Sequence, residues 1–160
     1  MTPYEILPSL IELSIAIAGF SGIAAAIQGR SERNPQVRIF LTSLLWSTFN
    51  SAAICVLSMV LLASPLDDDS AWAATSFSHA IVLLVVLSVR SMQRRRGEYT
   101  RTRALQIARG FLYALVPIQI VNGALLGKPW IAVAGLAFYS FFGFGFFVLL
   151  LLEIIQPSET

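Results

Sequence analysis

Five long apolar segments, separated by short polar joints, constrain this chain more than any other feature. They run over about 6–28, 37–63, 71–90, 104–126 and 129–153. A helix needs roughly 20 residues to cross a hydrocarbon core, and each segment reaches that length. The chain is 56% hydrophobic and 12% charged, with a mean hydropathy of +0.74. Ordinary globular domains carry roughly 25% charged residues, and a chain of 160 residues is too short to hide so much apolar surface in one water-soluble core. The expected fold class is therefore an all-α integral membrane protein, a bundle of five transmembrane helices forming one domain over 1–160.

The joints support this division. "GRSERNPQ", "SPLDDDS" and "GKP" are short, and only "SMQRRRGEYTRTR" is longer. Pro35, Pro65 and Pro129 stand at segment ends, where helices start or stop. Asp69 or Ser70 is expected to cap the third helix. Short joints make sequence neighbours antiparallel and adjacent, which yields a compact bundle.

Charge placement predicts the orientation. All ten arginines flank the first and third joints, and Lys128, the sole lysine, lies at the opposite side. Arg94, Arg95 and Arg96 form the densest part of this pattern and are expected to act as topology determinants, with binding of anionic lipid headgroups as the other reading. The positive-inside rule then puts the N-terminus outside and the C-terminus in the cytoplasm. The expected location is a bacterial inner membrane, crossed several times. The opening "MTPYEILPSLIE" has no basic residue before its apolar run, so no secretory leader is expected. The isoelectric point near 9.0 comes from these joints, so topology explains it without a nucleic-acid partner.

Within the spans, polar residues are few enough to be examined one by one. Glu12 falls inside the first apolar segment, where a carboxylate needs a reason. It shares a helical face with Gly19, and Gly22 belongs to a neighbouring row of small residues, a surface suited to close helix approach. His79, Tyr139, Gln119 and Asn122 reach a similar depth from other helices. Together these five residues are the candidate ion or proton site, or else a polar clamp that fixes the helices. Ser43, Ser47, Asn50, Ser51 and Ser58 fall within a narrow arc of the second helix, as either path-lining or helix-packing groups. Asp67, Asp68 and Asp69 form an outer acidic loop, read as a cation-attracting mouth or as a solvated turn and cap. The run "FYSFFGFGFF" (138–147) puts phenylalanine on every side of the fifth helix, a surface for lipid or another subunit.

No phosphate loop, metal-spaced His or Cys cluster, or nucleophile paired with a base occurs. The one cysteine, Cys55, lies in an apolar run and reads as a packing residue. No enzymatic activity, cofactor or metal is expected. The expected function is a small homo-oligomeric membrane channel or transport protein for protons or cations. The alternative is a structural or accessory subunit that packs in a larger membrane complex. Membrane lipids and further copies of the chain are the expected partners.

Overall fold

The computed structural model describes residues 2–28, 35–95 and 103–155. Its described residues form α1 (Pro3–Gln28), α2 (Pro35–Leu62), α3 (Asp68–Arg95), α4 (Arg103–Val121) and α5 (Pro129–Ile155). A wider π-helical turn, Asn122–Leu126, continues α4 toward α5. All five α-helices are long and apolar enough to span a membrane.

Helix boundaries follow local chemistry. Pro35 and Pro129 open α2 and α5, where the missing N–H would have no helical acceptor in any case. The start of α3 corrects the expected cap. Asp67, rather than Asp69 or Ser70, accepts a 3.0 Å bond from the Ser70 amide through its carboxylate. Asp68 and Asp69 then lie in the exposed first helical turn, where their charge favours the positive end of the helix dipole. The third helix accordingly begins earlier than the apolar pattern alone suggests. The π-helical turn ends at Gly127, whose φ of 55° is left-handed and whose amide donates to the Asn122 carbonyl at 2.7 Å. Glycine suits that conformation because it has no Cβ to clash.

The helices alternate in direction. Leu7 and Leu10 of α1, Ile54 and Cys55 of α2, Trp72 of α3 and Ala132, Val133 and Leu136 of α5 share one apolar cluster. Val37 and Phe40 at the start of α2 meet Leu150 near the end of α5 in a second. Leu83, Leu87, Val116 and Tyr139 join α3, α4 and α5 in a third. α2 packs most extensively on α5 and α1, whereas α4 touches α5 only lightly. The bundle's exterior is apolar as well: Ile15, Phe20, Phe49, Ile81, Ile107 and Phe141 are all exposed.

Small residues let α2 and α5 approach closely. A Cβ on Gly143 of α5 would lie 2.9 Å from the Ser47 hydroxyl and 3.0 Å from the Thr48 methyl. The α2–α5 approach therefore depends on hydrogen at that position. The serine arc of α2 is buried in the bundle at Ser43, Ser47, Ser51 and Ser58. Ser43, Ser47 and Ser58 donate to the Ile39, Leu44 and Ile54 carbonyls of their own helix, at 2.6, 2.9 and 2.7 Å. Ser51 instead pairs with Ser140 of α5 across 2.6 Å.

Candidate functional site: a buried polar seam

The polar residues of α3, α4 and α5 converge inside the bundle. Asn122 sits at the first position of the π-helical turn and is wholly buried. Its amide nitrogen donates to the Ser76 hydroxyl at 2.8 Å and to the Lys128 carbonyl at 3.1 Å. Its amide oxygen accepts from the Lys128 backbone N–H at 3.0 Å. One side chain thus ties α3 to both strands of the turn joining α4 and α5. Every polar atom of that amide is used.

Gln119 lies one turn earlier, facing the same interior. Its nitrogen donates to the Ile131 carbonyl at 3.0 Å, whereas its buried oxygen has no hydrogen-bond partner among the described residues. His79 is also fully buried, and neither ring nitrogen has a partner among the described residues. Gly135 makes room for both. A Cβ there would overlap the Gln119 amide and stand 3.4 Å from Cε1 of His79. The His79 and Tyr139 rings lie 5.6 Å apart between centroids, tilted by 56°. Tyr139 also lines a small cavity together with Ser43, Ser47 and Arg90, and the buried amide nitrogen of Asn50 has no hydrogen-bond partner among the described residues.

The seam therefore runs from Lys128 and Asn122 through Ser76, His79 and Gln119 to Tyr139. A buried polar group without a partner costs roughly 1–3 kcal/mol. His79 and Gln119 together hold three such atoms. Chemically, the imidazole offers a donor and an acceptor, and the Gln119 oxygen a further acceptor. This set suits a proton or a small hydrogen-bonding species. It does not form a metal cage, and no cluster of three His, Cys, Asp or Glu residues occurs among the described residues.

Four of the five candidates for the central site, His79, Tyr139, Gln119 and Asn122, lie along this seam. Glu12 does not join them. It is exposed on the outward face of α1, with Gly19 and Gly22 also exposed and nothing within 4 Å of the space a Cβ would take at either glycine. The inward face carries Leu10, Ser14, Ile17 and Ser21 instead. Asp67, Asp68 and Asp69 are exposed at the head of α3, and Asp67 acts as its cap. Arg96 and the side chains of Arg94 and Arg95 lie outside the described residues.

Sequence reasoning missed Ser76 and Ser140. Ser76 lies three residues before His79, hence on its helical face, a signal that was present but unremarkable among many serines. Ser140 follows Tyr139 and becomes visible only through its partner Ser51. Comparison with protein families, curated proteins and solved structures yields no match.

Proposed function

We propose that this chain is a multi-pass protein of a bacterial inner membrane, N-terminus outside and C-terminus cytoplasmic, that transfers protons through the buried seam. The observation that carries this reading is His79, wholly buried with two unpartnered ring nitrogens beside the unpartnered oxygen of Gln119. Ionisable groups inside membrane spans are costly and characteristically mark ion pathways and proton relays. Histidine is the side chain best suited to exchange a proton near neutral pH. Tyr139 supports continuity, because it packs on the His79 ring on one side and lines a small cavity with Ser43 and Ser47 on the other. Copies of the chain associate through the outward face of α1, where Gly19 and Gly22 allow close approach.

The test is proton flux into liposomes holding a pH-sensitive dye, driven by a potassium diffusion potential. Wild-type protein should relax the gradient faster than empty liposomes, and His79→Gln should return the rate to the empty-liposome value. A wild-type rate no faster than empty liposomes sinks the transport reading. Loss of flux on Glu12→Gln with His79→Gln unaffected would move the path to the interface between subunits.

A second reading has its own observation. The outward face of α1 carries a carboxylate, two glycines and exposed Ile15, Phe20 and Ile23, a surface equally suited to a different membrane subunit. That reading, an accessory subunit, requires a stoichiometric partner on purification and no flux from the isolated chain.

A further inference from the structure

An open groove runs between α4 and α5, and its inner end meets the polar seam. The wider part, about 500 Å³, is walled by Ile107 and Phe111 of α4 and by Phe138, Phe141, Phe142 and Phe146 of α5. A second part of about 370 Å³ continues from it, sharing Phe111, Phe138 and Phe142. This part extends past Ile118 to Gln119, Gly135 and Trp130. From Ile107 to Ile118 the groove is roughly 17 Å long, at the rise of an α-helix. α4 touches α5 only lightly, which leaves the groove open.

The two ends differ in chemistry. Apolar residues alone wall the wide part among the described residues. At the other end Gln119 is wholly buried, and its amide oxygen has no hydrogen-bond partner among the described residues. Its amide nitrogen is committed to the Ile131 carbonyl, so this end presents an acceptor in want of a donor. His79 stands behind Gly135, with Cε1 3.4 Å from the space a Cβ would take there. The groove's inner end thus borders the unpartnered atoms of the seam.

These features define the occupant. A group that satisfies the Gln119 oxygen must carry an O–H or N–H. The apolar part of α4 runs from Arg109 to Leu126, which puts Gln119 about 15 Å from one end and about 10 Å from the other. On the membrane reading above, a charged headgroup is costly at that depth, so the donor is neutral. Phenylalanines from both helices favour a planar ring, met by offset or edge-to-face packing. The long apolar part accommodates a tail. The Gln119 oxygen has almost no exposed surface, so a ligand meets it as the terminal amide turns about its broad torsion.

We propose that the groove between α4 and α5 binds a quinol with an apolar tail, its ring beside Gly135 and one hydroxyl donating to the Gln119 oxygen. The proposal rests on membrane insertion but not on proton transfer, so no flux enters its test and the two can fail separately. Protein in phosphatidylcholine nanodiscs is titrated separately with decylubiquinol, decylubiquinone and farnesol, and retained ligand is counted by native mass spectrometry. The quinol should be retained about tenfold more tightly than the quinone, which has no O–H to donate, the worth of one buried hydrogen bond. Farnesol, which has a hydroxyl and a tail but no ring, should also fall below the quinol. Gln119→Leu should bring the quinol down to the level of the quinone and leave the quinone unchanged. Gly145 lines the wide part, with nothing within 4 Å of the space a Cβ would take. Gly145→Leu therefore fills the groove without displacing protein, and should cut quinol retention about tenfold. Gly110 is equally open but does not line the groove, and Gly110→Leu should leave retention within about twofold. Equal retention of quinol and quinone, equal effects of Gly145→Leu and Gly110→Leu, or farnesol held as tightly as the quinol overturns the proposal. Retained phosphatidylcholine that depends on Gly145 and resists displacement by quinol assigns the groove to acyl chains and overturns it too.

Discussion

The Tyr139 and His79 rings lie 5.6 Å apart between centroids, tilted by 56°, inside the bundle. On the proton-transfer reading, Tyr139→Phe keeps the ring packing and removes the relay hydroxyl. The variant should melt within about 1 kcal/mol of wild type, since only one hydrogen-bonding group is lost, and should show clearly slower liposome flux. Wild-type flux from Tyr139→Phe would exclude the hydroxyl from the path.

Asn122 makes three hydrogen bonds that tie α3 to the α4–α5 turn. Asn122→Ala leaves the Lys128 amide and the Ser76 hydroxyl without this partner. A loss of about 2 kcal/mol in unfolding free energy is expected, measured by denaturant titration in micelles. Asn122→Asp keeps the acceptor for Lys128 and forfeits both donated bonds. It should not restore wild-type stability.

Gly135 and Gln119 compete for the same space. Gly135→Ala should cost about 1–3 kcal/mol through overpacking. Adding Gln119→Ala should recover part of that cost, because the clashing amide is gone. Additive losses in the double variant would show that the two positions are not in contact.

Asp67 caps α3 and carries a pH-dependent contribution outside the spans. Its hydrogen bonds from the Ser70 hydroxyl and then the Ser70 amide hold its carboxyl below the ordinary value of 3.8. A carboxyl depressed in the folded state stabilises it fully above that ordinary value, and the contribution fades as pH falls through the depressed one. Amide exchange protection at 68–71 should therefore drop between pH 5 and pH 2, an interval on the order of the carboxylate titration range. Asp67→Asn, which preserves the cap without the charge, should flatten that dependence. An unchanged profile in the asparagine variant would show that the Asp67 carboxylate is not its source.

Gly19 and Gly22 face outward into open space. Gly19→Leu and Gly22→Leu should leave the subunit's thermal stability unchanged or slightly higher, since leucine favours helix by roughly 1 kcal/mol over glycine. Both should reduce self-association, read as particle mass in nanodiscs. Mass unchanged from wild type would remove this face from the oligomer interface.

The number and approximate extent of the helices were legible in the chain. Apolar length, proline at Pro35 and Pro129, and acidic residues before α3 are local signals, and local backbone chemistry is what they govern. The shared depth of His79, Tyr139, Gln119 and Asn122 followed from residue rise along each helix. Which face each helix turns inward did not follow. α1 and α2 carry almost no overall hydropathic contrast between faces, so apolar periodicity does not separate lipid-facing from packed positions. That choice fell to shape and to hydrogen bonds between distant residues. Ser14 turns in while Glu12, two residues earlier, turns out. Gly135 admits Gln119, Gly143 admits Ser47, and Ser51 finds Ser140. Sequence determined that five apolar helices would form, because helix formation depends on neighbouring residues. Tertiary structure alone decided which polar groups would meet, because that depends on how closely separate helices can approach.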